Sequence, residues 1–233
     1  MSVLIARLLT FRQELTIELQ RFILLWRYHN HVPPFALWWR LVLKRFVDFL
    51  GAVVGLVVTA PIMAIVALVI KLDSKGPILY SQERVGRFGD SFKIYKFRTM
   101  RMDAEANGPV WSAGDRDSRL TRVGGFLRRS HLDELPQLVN VFTGHMSLVG
   151  PRPERPCFVQ ELNVSIPSYD QRLLIKPGLT GLAQVHYRYD QSLADVRRKL
   201  RFDLLYIKRM CLALDAKILV WTLLVVITGR GIK

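Results

Sequence analysis

The sequence predicts an α/β protein of the membrane-associated, monotopic kind, a re-entrant helix-break-helix joined to a small cytosolic domain of helices plus a short sheet. Three observations predict it. An uncharged run of 22 residues, Phe49–Ile70, holds Pro61 near its centre. Basic residues flank that run on both sides. After Lys71 the pattern changes to short alternating stretches punctuated by Gly and Pro, and then to helical ones.

Composition sets the outer bounds. The 233 residues suffice for one compact domain with an appendage, or for two small domains. Half are hydrophobic and 23% are charged, so a core can form and wholesale disorder is excluded. Lys plus Arg number 34 against 19 for Asp plus Glu, a balance of +15. That charge calls for an anionic partner: nucleic acid, acidic lipid head groups or a phosphorylated substrate. Two cysteines, Cys157 and Cys211, fit a reducing compartment rather than a disulfide scaffold.

Residues 1–43 read as an N-terminal arm. Positions 3–28 mix apolar residues with Arg and Glu at near-helical spacing, as an interfacial amphipathic helix or an ordinary surface helix would. The segment from His31 to Pro34 ends it. Trp38, Trp39 and the more distant Trp111 read as core or interfacial aromatics rather than stacking platforms. His29 and His31 have no metal-ligand partners in the sequence.

Residues 44–72 read as the re-entrant membrane helix. The uncharged run is long enough for a hydrocarbon core of roughly 30 Å. Pro61 removes a helical hydrogen bond and its ring crowds the carbonyl one turn back. Residues 1–45 carry seven Lys or Arg against two Glu, which leaves +10 for residues 46–233. Positive charge prefers the cytoplasmic face, so one crossing would strand a basic flank on the wrong side. A helix that breaks at Pro61 and returns satisfies both flanks. A kinked crossing and a buried soluble helix are the alternatives. Gly51 and Gly55 form a GxxxG, either for close packing or simply as small residues in an apolar run.

Residues 73–233 read as the cytosolic domain with an interfacial C-terminal helix. Ile78–Arg84 and Ser91–Thr99 read as strands around a glycine-containing loop. Phe92, Ile94, Lys96 and Arg98 share one strand face, so two cations follow two apolar residues, for strand-end solvation or for a site. A helical pattern starts near Leu120, and a second at Asp133 continues through Phe142, with Pro136 in its first turn and Asp133 as its N-cap. The run from Gly150 to Pro153 is a rigid extended corner. Ser192 with Asp195 forms a capping box ahead of a stripe of Leu193, Val196, Leu200, Leu204 and Ile207. Asp203 falls at the edge of that stripe, as a salt-bridge partner or a site residue. Ile218–Thr228 is apolar but too short to span a bilayer.

Motifs for P-loop, dinucleotide, zinc-protease and serine-hydrolase chemistry are missing from the soluble part. Chemistry-bearing residues are densest from Arg128 to Gln137, where Asp133 and Glu134 follow two arginines. A carboxylate at a helix N-terminus beside Arg is held as the anion, with a depressed pKa. Such a group is a poor general acid and a usable nucleophile or metal ligand. A plain N-cap with surface arginines is the competing reading.

The runs KRFVD (44–48), GPILYSQERVGRFGDSFKIYKFRTM (76–100), RVGGFLRRSHLDELPQLVNVFTGHMSLVGPRPE (122–154), KPGLTGLAQV (176–185) and FDLLYIKR (202–209) resemble the bacterial sugar transferases, the monotopic polyprenyl-phosphate phosphoglycosyl transferases. The resemblance covers roughly residues 44–228. It implies transfer of sugar-1-phosphate from a nucleoside diphosphate sugar, a UDP-sugar, to polyprenyl (undecaprenyl) phosphate, as the first membrane step of a glycan or exopolysaccharide pathway. It further implies that Asp133 forms a covalent phosphosugar intermediate, and that Asp133 and Glu134 hold Mg²⁺ or Glu134 activates the acceptor. Lys96 and Arg128 would bind phosphate oxygens, Asp203 would line the site, and Arg152 and Lys176 would contact the nucleotide or rigidify the pocket. Pro61 would be the break in the membrane helix. The implied place is the bacterial inner membrane, with the catalytic domain on the cytoplasmic face. Membrane lipid is then the anionic surface and nucleic acid is not a partner; a homo-oligomer is left open.

Departures from the family pattern are His131, where a small hydroxyl residue is common, Leu182 for a common Trp, and His186-Tyr187 for Asn-Gly. They leave the donor open. A membrane-associated nucleic-acid binder would cluster its cations on one helix or among aromatics, whereas here they are spread and concentrate near acids. A non-catalytic scaffold of the same fold would be expected to lose some of Lys96, Arg128, Asp133, Glu134 and Asp203, and all five are present.

Overall fold

The structure is a computed structural model that describes residues 2–29, 32–105, 108, 117–187 and 192–228, and side chains from residue 14 onward except 15. His31 and Trp111 lie outside the described residues. The chain divides into two compact units, residues 1–43 and 44–233.

In the first unit, helix α1 (Ser2–Tyr28) is followed by the start of α2 (Pro34–Asp73). Pro34 opens α2, where its missing N–H has no helical partner to lose. Between the helices, Trp26 Nε1 donates to Val32 O at 2.8 Å. Trp38 and Trp39 are about half exposed and meet edge to face at 4.9 Å, so they are not core aromatics.

The second unit begins within α2. Among the described residues α2 is the one helix long and apolar enough to cross a membrane. The break expected at Pro61 does not interrupt it: the helical backbone continues through Pro61, since a proline can bend a helix without ending it. Strands β1 (Leu79–Val85) and β2 (Ser91–Phe97) pair antiparallel, Leu79 facing Phe97 and Val85 facing Ser91. The two-residue period buries Phe92 and Ile94 and puts Lys96 on their side. Arg98 leaves that face. It is buried, and it donates to Ser74 O at 2.8 Å, Ser74 Oγ at 2.9 Å and Lys75 O at 2.9 Å. A guanidinium at the carbonyl end of a helix is favourable, so Arg98 closes the exit of α2 instead of facing solvent.

Helix α3 (Gly124–Arg129) starts four residues later than the periodicity near Leu120 suggests. Leu120 pairs instead with Met100 in an isolated β-bridge, and Thr121 N–H donates to Thr99 O. A 3₁₀ turn (Leu132–Glu134) then leads into α4 (Gln137–Thr143), β3 (Ser147–Val149) and α5 (Pro156–Ser165). A second 3₁₀ turn (Tyr169–Leu174) precedes β4 (Gly178–Thr180) and α6 (Leu182–His186). Strand β4 lies parallel to β3. A side chain at Gly178 would overlap the backbone of Gly150 and Thr180, so glycine is required for the close approach.

Helix α7 (Leu193–Arg209) is capped by Ser192, whose Oγ accepts from Asp195 N–H at 3.2 Å. The predicted stripe packs inward at Val196, Leu200 and Ile207, with Asp203 buried among them. Helix α8 (Leu212–Thr228) carries the apolar C-terminal run and leaves Val220, Leu223 and Ile227 more than half exposed. Both cysteines are free.

Among the described residues three clusters of the core stand out. One joins α5, the second 3₁₀ turn and α7 through Leu162, Tyr169 and Leu200. The others receive α2. Ala52 packs with Phe92, Ile94, Val141 and Met146. Val66 and Ile70 pack with Phe97 and Leu127, and Leu132 joins them. A Cβ on Gly51 would come within 2.6 Å of Leu148, and one on Gly55 within 3.1 Å of Leu138, so the GxxxG serves close packing of α2 onto β3 and α4. The base of α2 is fixed by polar contacts. Lys44 donates to Asp215 at 2.7 Å, Tyr206 to Asp215 at 2.6 Å, and Asp48 accepts from Leu148 N–H at 3.0 Å. Arg45 donates to Val141 O at 2.7 Å and Phe142 O at 2.8 Å, closing the C-terminal end of α4.

Candidate active site

Asp133 does not cap a helix. It lies inside the 3₁₀ turn, and the cap position of α4 is Pro136, which makes no side-chain cap bond. Pro136 lacks an N–H and starts the α4 backbone, so the regular helix begins at Gln137, beyond the reach of Asp133 as a cap. The turn is introduced by His131 in the left-handed region (φ 59), an unusual conformation for a non-glycine residue.

Glu134 is the hub. Its Oε1 accepts from Lys96 Nζ at 2.7 Å and from Arg152 Nη2 at 2.5 Å. Oε2 has a longer contact to Arg152 Nη1, 3.4 Å. Burial alone would raise the Glu134 carboxyl, yet the two cations hold it well below the usual carboxylate range. Lys96, at the end of β2, is lowered by the same burial while Glu134 pulls it back up. Arg152, in the corner between Pro151 and Pro153, is raised by Glu134 and keeps 41% of its side chain open to solvent.

The expected depression of Asp133 is overturned. Its carboxyl is pushed up to about 6, first by burial and second by the Glu134 charge beside it. Lys96, Arg128 and Arg152 pull it down without cancelling those two effects. Lys96 and Arg152 already spend much of their field on Glu134. At neutral pH Asp133 is still mostly ionised and poorly solvated, the condition of a reactive carboxylate. Arg128, on α3, donates through Nε to Thr99 Oγ1 at 3.2 Å.

Asp203 lies one layer back, 3% exposed, and pairs with Arg172 at 2.9 Å. Burial raises its carboxyl to about 6 against the pull of Arg172. Asp203, Arg172, Arg152, Glu154, Gln184 and Lys199 line a small recess. Lys176 is not brought to Glu134. A Cβ on Gly144 would lie 3.5 Å from Lys176 Nζ and 3.1 Å from Arg45 Nη2, so Lys176 stands with Arg45 at the far end of α4. The reason is local: its neighbour Pro177 accepts from Ser147 N–H in the β3–β4 pairing, which fixes the turn there.

Sequence reasoning missed Arg172, which joins Asp203 to the Arg152 corner, and Arg84, which donates to Pro153 O at 3.1 Å and Glu154 at 3.4 Å. Arg84 had a signal, its strand face shared with Tyr80 and Gln82 opposite Lys96. Arg172 had none, because the Arg152 carbonyl and Asp203 that it joins are 20 and 31 residues away and only Tyr169 is a near neighbour.

The family model for bacterial sugar transferases matches residues 39–229. The UDP-N-acetylgalactosamine-undecaprenyl-phosphate N-acetylgalactosaminephosphotransferase of Aeromonas hydrophila is 42% identical over 82% of this chain, which spans 45% of that relative. The exopolysaccharide production protein PSS of Rhizobium leguminosarum is 40% identical over 82% of this chain and 98% of its own length. The UDP-glucose:undecaprenyl-phosphate glucose-1-phosphate transferase of Escherichia coli is 40% identical over 78% of this chain and 39% of its own length. The chain therefore spans about half the length of some curated relatives and nearly all of another. With its matched region taking in most of α2, Lys96, the Asp133–Glu134 turn, the Arg152 corner and Asp203, the chain belongs to the bacterial sugar transferase family.

Proposed function

We propose that this chain transfers sugar-1-phosphate from a UDP-sugar to undecaprenyl phosphate, with Asp133 as the nucleophile. The observation that carries the reading is Asp133 itself, a buried carboxylate at about 6 beside a hub of opposite charges. Asp133 attacks the phosphorus that bears the sugar. A bond forms from its carboxylate oxygen to phosphorus as the diphosphate bond breaks, and the nucleoside monophosphate leaves with the bridging oxygen and its electron pair. The lipid phosphate then attacks the same phosphorus and frees the Asp133 carboxylate, yielding the polyprenyl-diphosphate sugar. Capture in two steps spares the site from holding two like-charged substrates together. Arg152, the more open cation, meets the donor phosphates, while Lys96 and Arg128 offset charge around the reacting phosphorus.

The donor set fits Mg²⁺. Asp133 and Glu134 are adjacent hard oxygen ligands, and Glu134 Oε2 is only weakly engaged. Mg²⁺ is commonly held by one or two carboxylates with substrate phosphates and water completing its shell. When bound, it supplies neutralisation of phosphate charge.

We propose further that the membrane helix bends at Pro61 and so enters and leaves on one face, the cytoplasmic face of the inner membrane. The support is its double attachment to one domain: Ala52 before Pro61, and Val66 and Ile70 after it, are all buried in that unit. Residues 53–65 between them would extend about 20 Å as straight helix, short of a hydrocarbon core of roughly 30 Å. Charges flanking both ends then stay on the favoured side.

The test is nucleoside monophosphate release from the purified protein with Mg²⁺, across a panel of UDP-sugars, with and without undecaprenyl phosphate. Lipid-dependent release with one donor, and substoichiometric release without lipid, are expected. Release that is multiple-turnover without lipid, or that survives Asp133→Asn, overturns the mechanism; silence with every donor overturns the transferase reading.

A further inference from the structure

The Arg152 corner has an unusual attachment. Pro151 and Pro153 carry no N–H, so the segment is held by its carbonyl oxygens instead. Three consecutive ones accept from three different elements: Pro151 O from Gly178 N–H at 2.8 Å, Arg152 O from Arg172 Nη2 at 2.9 Å, and Pro153 O from Arg84 Nη1 at 3.1 Å. The middle bond holds the residue whose guanidinium reaches Glu134. Arg172 is itself held on two sides, by Asp203 Oδ2 at 2.9 Å and by the hydroxyl of Tyr169 at 2.5 Å, with its guanidinium 5.0 Å from the Tyr169 ring. All three of these residues are buried.

We propose that Arg172, oriented by Asp203 and Tyr169, is a positioning residue that sets Arg152 against Glu134, and that Asp203 serves the reaction through this chain of contacts rather than by touching the donor. The inference rests on the reading of Arg152 and Glu134 as the phosphate-handling pair. One planar guanidinium makes three directed bonds here; a lysine at 172 keeps the charge for Asp203 but cannot reproduce the set. Slackening the Arg152 carbonyl lets the corner shift, and a misplacement of about 1 Å can cost about a hundredfold in rate.

The experiment uses the full chain with Arg172→Lys, Asp203→Asn and Arg152→Lys, alone and combined. Three readouts are taken: kcat and KM for nucleotide release, thermal unfolding, and the rate at which phenylglyoxal modifies Arg152, read by peptide mass spectrometry. Arg172→Lys is expected to lower kcat by about tenfold or more. In the Arg152→Lys background it should add less than about twofold, as contacts in one chain do. Asp203→Asn should likewise add nothing once Arg172 is lysine. Arg152 should be modified several-fold faster in Arg172→Lys, with Arg128 unchanged as the internal reference.

Additive losses in the combined variants overturn the proposal. So does an Asp203→Asn variant that raises the donor KM with Arg172 already replaced, since that is direct contact. A melting temperature that falls with kcat unchanged assigns Arg172 to the fold alone and also overturns it. The labelling needs no turnover, so an unchanged Arg152 rate refutes the positioning role even if every donor is silent, whereas silence alone bears on the transferase reading.

Discussion

In the proposed mechanism Asp133 must be ionised to attack phosphorus, and its carboxyl is pushed up to about 6. The sign follows directly. Activity is present above that value and lost as pH falls through it. About nine-tenths of the group is ionised at pH 7 and about one-tenth at pH 5, so kcat/KM for the donor should fall about tenfold between them. Asp203 also reaches about 6, so the limb by itself does not single out Asp133. Glu134→Gln does. Glu134 raises Asp133 and also occupies Lys96 and Arg152, whereas Asp203 answers to Arg172, Glu154 and Lys199. With glutamine at 134 the like charge is gone and two cations are released toward Asp133, so the limb moves to lower pH. The amplitude falls too, but the position of the limb is the readout. Each unit of movement corresponds to about 1.4 kcal/mol. The assay is the initial release of nucleoside monophosphate from pH 5 to 8, at donor concentrations below KM. A flat wild-type profile over that range, or a limb that stays put or moves up in Glu134→Gln, refutes the account of Asp133.

Asp133→Asn should abolish release without lowering the melting temperature at pH 7. A carboxyl raised from 3.8 to about 6 favours folding below 3.8 and loses that contribution by 6, a difference of about 3 kcal/mol that the neutral amide does not lose. A melting temperature several degrees lower would contradict this. Gly178→Ala should cost more than about 3 kcal/mol or prevent folding, because its Cβ collides with backbone that cannot yield. Gly125→Ala, whose nearest contact would be 3.7 Å in α3, is the control and should be neutral or stabilising by up to about 1 kcal/mol in denaturant titration. Asp215→Ala should destabilise by about 1–3 kcal/mol, since it leaves Lys44 with only Asp48 at 3.8 Å and the Tyr206 hydroxyl with only Val149 O at 3.1 Å. Adding Lys44→Met should recover part of that loss in thermal unfolding, and a purely additive double variant would refute the pairing.

The elements legible in the sequence were those whose signal is local. The uncharged run of α2, the alternation of β1 and β2, and the Ser192 cap of α7 depend on neighbours within a few positions. The Asp133–Glu134 pair was legible as a motif, but its electrostatics were not. Helix-end and arginine effects can be counted along a chain, whereas burial and the division of Lys96 and Arg152 between two carboxylates exist only after folding. The same limit applies to Lys96 and Arg98. Two residues apart, they read as one cationic face, yet the strand ends between them and sends one to Glu134 and the other to the end of α2. Lys176 sits in a recognisable turn, but the pairing of β3 with β4 leaves its ammonium beside Arg45. Arg172 was invisible because the Arg152 carbonyl and the Asp203 carboxylate that it joins are both distant in sequence.

The site and the membrane helix share their supports. Ile94, two residues before Lys96, belongs to the cluster around Ala52. Leu127 precedes Arg128 and Leu132 precedes Asp133, and both pack with Val66 and Ile70 beyond Pro61. Arg45 closes α4 from the entry of α2, and Arg98 closes the exit of α2 from the end of β2. These contacts cross between α2 and the elements of the candidate site on both sides of Pro61, so neither can be displaced without loosening the other. A phosphate carried on a lipid lies at a fixed depth, and a site free to move against its anchor would meet it in many geometries. Packing the residues next to Lys96, Arg128 and Asp133 onto α2 removes that freedom before the acceptor arrives. Preorganisation of this kind would lower the entropy to be lost at the second step of the proposed reaction, where one captured phosphosugar must meet one lipid phosphate.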